Sequence, residues 1–168
     1  MSRESKILKA GPWGAQATIS HYESFGWELL SLNGDQITMS RETQDEVYAD
    51  LVKHQAAYEQ KMNEYMATKA PVFPAAPKAP DAPVPFSLGT CAILLLLAIL
   101  PGALYIAYKV NKKREYEEAM QKHEEAKAAH KKKCTEMTNA YNATRANLED
   151  EMKAIVEESH AIFFSKRA

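Results

Sequence analysis

The chain has 168 residues and a formal net charge of −1, with 21 Lys/Arg against 22 Asp/Glu. That balance excludes a global electrostatic case for nucleic-acid binding, and the two distant cysteines, Cys91 and Cys134, exclude a disulfide framework. The charge is unevenly placed: residues 1–86 hold 8 Lys/Arg and 11 Asp/Glu, residues 109–168 hold 13 and 11, and 82–108 hold none.

The N-terminal stretch MSRESKILKAGPW lacks a long apolar core, so no cleavable secretory signal is expected. Ser5 to Ala10 reads as a first strand. Pro12 to Phe25 reads as a helix with Ala15, Ile19, Tyr22 and Phe25 as its apolar stripe, ending at Gly26, a good residue just past a helix. Trp27 to Leu32 and Asp35 to Arg41 flank Asn33-Gly34, the strongest short hairpin signal, because a type I′ turn needs positive φ at both central residues. A two-residue Asn33-Gly34 loop sets Leu30 opposite Ile37, with Leu32 and Met39 on the same face. Residues 1–42 are therefore predicted to form a βαββ head. Trp27 reads as a core or interface anchor.

A helix ending in Gly26-Trp27-Glu28-Leu29, then strand, turn and a second strand closing on Arg41, resembles a family of small bacterial domains of unknown function. The resemblance covers residues 5–42. It implies a bacterial or phage origin and no reaction. The first strand, SKILKAGP, departs from the aromatic–valine alternation of that family.

Residues 43–69 contain no Gly or Pro, and Thr43 with Glu46 makes a capping-box pattern. Val47, Leu51, His54, Tyr58, Met62 and Tyr65 step by three and four, so one helical face is apolar, close to a heptad seam. In residues 70–86, Pro71, Pro74, Pro77, Pro80 and Pro83 fall at every third position. Polyproline II has three residues per turn, so these prolines line one edge of a rod. A basic anchor for proline-reading partners is limited to Lys78, and a stiff spacer is the preferred reading over a docking motif.

Leu88 to Tyr108 is nearly all apolar and uncharged. Its 21 residues rise about 30 Å as a helix, the thickness of a hydrocarbon core. Residues 87–110 are thus expected to form a single transmembrane helix, kinked at Pro101-Gly102. A buried core helix and a re-entrant hairpin turning at Pro101 are the rivals. Lys109, Lys112, Lys113 and Arg114 after the span place the C-terminus in the cytoplasm by the positive-inside rule. The expected location is integral to a bacterial inner or host plasma membrane.

Residues 111–164 read as a long helix or helical hairpin. Lys112 to Lys133 is rich in Ala, Lys and Glu and reads as solvated on most sides. From Cys134 a coiled-coil seam runs through Met137, Tyr141, Thr144, Leu148, Met152 and Ile155. Ala161-Ile-Phe-Phe164 is an apolar end, either a docking tip or the end of a helix packed on its neighbour.

No phosphate-cradling glycine loop, HExxH or GxSxG is found. His123, His130 and Cys134 share a helix face, but a tetrahedral metal site there is incomplete and helix surface is preferred. The expectation is an α+β membrane protein without catalytic residues, cofactor or metal. It anchors, scaffolds or serves as an accessory subunit, with the lipid bilayer and copies of itself or other membrane-complex subunits as partners. The contacts expected to join copies or partners are Trp27, Leu30, Ile37, Leu51, Tyr58, Met62, Tyr141, Leu148 and Ile155. A signalling receptor relaying through Pro101 is the alternative. An enzyme with its site on the head comes last.

Overall fold

The computed structural model describes residues 2–44, 46–85, 88–97 and 99–165. The protein is α+β, with β1 (Arg3–Lys9), α1 (Ala15–Glu23), β2 (Glu28–Asn33), β3 (Gln36–Glu42), α2 (Tyr48–Ala67), α3 (Leu88–Leu97) and α4 (Ile99–Ser165). The chain divides into two compact units, Met1–Ala70 with Ala140–Ala168, and Pro71–Asn139.

In the first unit the strands form an antiparallel sheet in the order β1-β3-β2. The central strand β3 alternates in the way a half-buried strand must: Ile37, Met39 and Arg41 face inward. The β2–β3 hairpin turns at Gly34-Asp35, not Asn33-Gly34. Asn33 pairs with Gln36 and Leu32 with Ile37, and a bulge falls between Leu29 and Ser31. Only Gly34 in the loop has positive φ (+59°). Glycine as the first of two loop residues suits a type II′ turn, which leaves Asn33 free to stay in the strand.

α1 begins three residues later than its periodicity suggests. Gly14 has φ +92° and its amide bonds to Gly11 O at 3.0 Å, so Pro12-Trp13 sits in a turn before the helix. α2 also starts late. Thr43 does not cap it, because its amide and hydroxyl both donate to the Ser2 carbonyl and continue the β1–β3 ladder.

The apolar face of α2 packs on the sheet and α1. Val47, Leu51, Tyr58 and Tyr65 are buried, and Phe25, Ile37, Met39 and Tyr58 form the fully enclosed centre. The end of α4 closes the same core. Met152 is buried there with Leu148, Ile155 and Val156 packed against it, and Phe163 joins Val47 and Leu51. The seam predicted in α2 and α4 thus meets itself within one chain. Thr144 stays exposed and Arg145 takes its place on the inward stripe.

The transmembrane and single-pass expectation, and with it the integral membrane location, is overturned. Among the described residues no helix is long and apolar enough to cross a membrane. α3 has ten residues, about 15 Å of rise, while α4 carries the charged run that follows Tyr108. A single span would also part the head from the C-terminal helix, yet residues 140–165 pack into the head's core. Phe86, Ser87 and Ala98, parts of the expected spacer and span, lie outside the described residues. Pro101 and Gly102 are helical positions of α4, and the membrane kink assigned to them falls with the span.

In the second unit the proline-rich segment lies along α4. His130 Nε2 is 2.8 Å from Pro74 O, and Lys109 Nζ donates to Val84 O at 3.1 Å. These contacts are ten residues apart on the proline side and twenty-one on the helix, in opposite order. Twenty-one helical residues rise about 32 Å. Ten residues cover that distance at about 3.1 Å each, the rise of polyproline II. The segment therefore runs extended and antiparallel to the helix, with Pro71, Pro77 and Pro80 half-buried.

Candidate functional site

The densest polar cluster of the head centres on Glu59 of α2. Its Oε1 accepts from Tyr22 Oη at 2.8 Å, from Gln55 Nε2 at 2.7 Å and from Lys6 Nζ. Three elements supply these donors: Lys6 from the inner face of β1, Tyr22 from α1, and Gln55 one turn earlier on α2. Burial opposes the Glu59 charge. The hydrogen bonds from Lys6, Gln55 and Tyr22 outweigh it and hold the carboxyl below its ordinary range. Tyr22 and Tyr58 are both pushed far up, by burial first and then by the neighbouring carboxylate. His21 Nδ1 lies 2.7 Å from Tyr58 Oη, and burial lowers its pKa. A cleft of about 300 Å³ opens beside the cluster, lined by Lys6, Lys9, Thr18, Tyr58, Glu59 and Met62.

A carboxylate with a lowered pKa and three donors on one oxygen is a poor general base, because its basicity is reduced. Tyrosines pushed upward are poor acids for the same reason. What the cluster does well is join β1, α1 and α2 through groups too polar to bury singly.

A second cluster surrounds Arg41. Its guanidinium is 5% exposed in side-chain terms. Nε donates to Glu4 Oε1 at 2.7 Å and Nη1 to Phe25 O at 3.2 Å. The guanidinium stacks between the rings of Trp27 and Tyr48, 4.5 and 4.9 Å from their centroids. Trp27 Nε1 in turn donates to Gln55 Oε1 at 2.8 Å. Trp27 and Arg41, two of the five positions on which the resemblance rests, therefore stack on one another within the fold.

A third cluster fixes α4. Tyr65 donates to Glu149 at 2.7 Å, Arg145 lies 4.0 Å over the Tyr65 ring and donates to Tyr141 at 2.8 Å, and Lys61 pairs with Glu151 at 2.8 Å.

Of the residues expected at partner contacts, Trp27, Ile37, Leu51 and Tyr58 are buried in this chain's own core. Met62, Leu148 and Ile155 pack at its margin, and Tyr141 holds Arg145. Leu30 alone is widely exposed, at the β2 bulge. The face bearing His123, His130 and Cys134 is the half-buried stripe of α4 that also holds Tyr116 and Met120. His130 serves the Pro74 carbonyl and sits 3.8 Å from Cys134 Sγ. The other faces of this half of α4 are exposed, and only that stripe departs from solvated helix surface.

Sequence reasoning missed Lys6, His21, Gln55 and Glu59 as a unit. A signal existed in part: Gln55 and Glu59 are one turn apart beside Tyr58 on the apolar face of α2, where polar residues need partners. The comparisons add no template. No family model, curated protein or solved structure matches the chain.

Proposed function

We propose that this chain is a non-catalytic assembly component, a scaffold or accessory subunit that joins other chains through apolar surface its own fold leaves uncovered. The observation that carries the reading lies in the second unit. Within the charge-free stretch 82–108, Leu88 is 80% exposed and Leu104 69%, and Ile93, Ile106 and Tyr108 are exposed beside them. Five large apolar side chains left exposed in one charge-free stretch mark an interaction surface in a stable protein. The chemistry of the head supports the same reading. Glu59 is committed to Tyr22, Gln55 and Lys6, Tyr58 to His21, and Arg41 to Glu4 and the Phe25 carbonyl, an arrangement suited to holding elements together.

The test is native mass spectrometry and sedimentation equilibrium of the purified full-length chain, with identification of any chain that co-purifies in fixed ratio. The expected result is a mass at a multiple of 18.8 kDa, or a stoichiometric companion. A monodisperse 18.8 kDa species with no companion would overturn the proposal.

A further inference from the structure

The two edges of the sheet are guarded differently. β1 carries Arg3, Glu4, Lys6 and Lys9 within seven residues, the charged pattern by which an edge strand deters pairing. β2 reads ELLSLN, and all six residues are exposed. Leu29, Leu30 and Leu32 are 42, 60 and 45% exposed, and Glu28 is the single charge. An edge strand turns a row of amides and carbonyls outward, which makes it a template for another strand.

The charge pattern says what fits. In an antiparallel pair of β2 with a second β2, the Glu28 end of one copy meets the Asn33 end of the other. The two carboxylates are then held at opposite ends, each beside an amide side chain able to donate to it. The leucines occupy the middle. Glu28 is already neutralised within its own sheet by Arg3, so the pairing buries no unopposed charge. A strongly charged strand from another protein would set its charges over leucines instead.

We infer that β2 is the self-association edge of this protein. Two copies pair there about a twofold axis to give a six-stranded sheet in the order β1-β3-β2-β2-β3-β1. The inference rests on the reading of the chain as an assembly component, and adds to the apolar stretch 82–108 a second surface with its own partner, another copy of this chain.

Sedimentation equilibrium on the full chain tests this with Leu30→Lys and Leu32→Lys on β2 and Ile7→Lys on β1. Each β2 variant is expected to weaken self-association at least tenfold with unchanged circular dichroism, and Ile7→Lys to leave it unaltered. A second arm avoids any effect of lysine on folding. In a Cys91→Ser, Cys134→Ser background, Ser31→Cys is expected to form an interchain disulfide on mild oxidation, and Ser5→Cys on β1 is not. A chain that associates regardless of lysine at 30 and 32, or cross-links equally through position 5, defeats the β2 assignment and leaves the assembly reading standing. A wild-type chain that is monomeric and without companion defeats both.

Discussion

Gly26 shows how much one residue carries in this fold. Its φ is +81°, a region that L side chains enter only with strain. A Cβ there would also stand 3.2 Å from Phe163 Cε2 and 3.3 Å from Leu51 Cδ1. Glycine is thus needed twice, for the turn from α1 into β2 and for the approach of the C-terminal end of α4. Gly26→Ala is expected to cost roughly 2 kcal/mol, from the backbone conformation and the crowded contact together. Urea unfolding followed by tryptophan fluorescence measures it. With Phe163→Ala added, the crowding is relieved and the combined cost is expected to fall short of the sum of the single costs. Strict additivity would show that the backbone angle acts alone. Next to Gly26, Trp27 serves as a core anchor, and the reason was only half visible in the sequence. A large aromatic announces burial, but nothing local announces that Arg41, fourteen residues on, will lie over its ring.

At the scale of elements, the parts with a strict period were legible and the parts defined by contact were not. The βαββ order, the apolar face of α2 and the seam in α4 follow from spacing alone. The shortened starts of α1 and α2 do not. They depend on Gly14 taking a positive φ and on Thr43 finding the Ser2 carbonyl, contacts no local pattern encodes. The apolar run 88–108 misled because length and hydropathy describe a segment's solvent preference, not where the chain on either side of it packs. The three-residue proline period implies a rod serving as a stiff spacer. In the structure it follows α4, tied at His130 and Lys109. That has a measurable consequence at Lys78, which lies between the two ties. Trypsin cleavage after Lys78 requires the strand to leave the helix. Replacing Pro77 and Pro80 with Ser, or His130 with Ala, is expected to speed that cleavage severalfold, since the stiff, half-buried strand loses its packing or its anchor. A strand cut at the same rate in all three proteins would show that it is not held.

At the scale of the whole chain, the head is completed by sequence from both ends, and this sets its response to pH. Its core mixes large aromatics with ionisable groups whose protonation differs between folded and unfolded states. Burial holds His21 below its ordinary 6.5. In acid the unfolded chain therefore takes up that proton before the folded one does. The stability His21 contributes is full above pH 6.5 and is lost as pH falls through the folded value. Glu59, held below 4.5 by its donors against the effect of burial, behaves the same way at lower pH. Its contribution is full above 4.5 and disappears as the carboxylate protonates. Tyr22 and Tyr58, raised above 10 by burial and by Glu59, act in the opposite direction. Above pH 10 their unfolded forms ionise while the folded ones cannot, so stability falls again. The expected profile is a plateau between about pH 6.5 and 10, an acid limb that begins with His21 and steepens with Glu59, and an alkaline limb from the tyrosines. Urea midpoints taken from pH 3 to pH 11 would trace it. His21→Gln should flatten the onset of the acid limb as pH falls below 6.5 and leave the steeper part. Glu59→Gln should remove much of the steeper part and leave the onset. An acid limb unchanged by both substitutions would mean that the proton uptake driving acid unfolding lies outside the α1–α2 cluster.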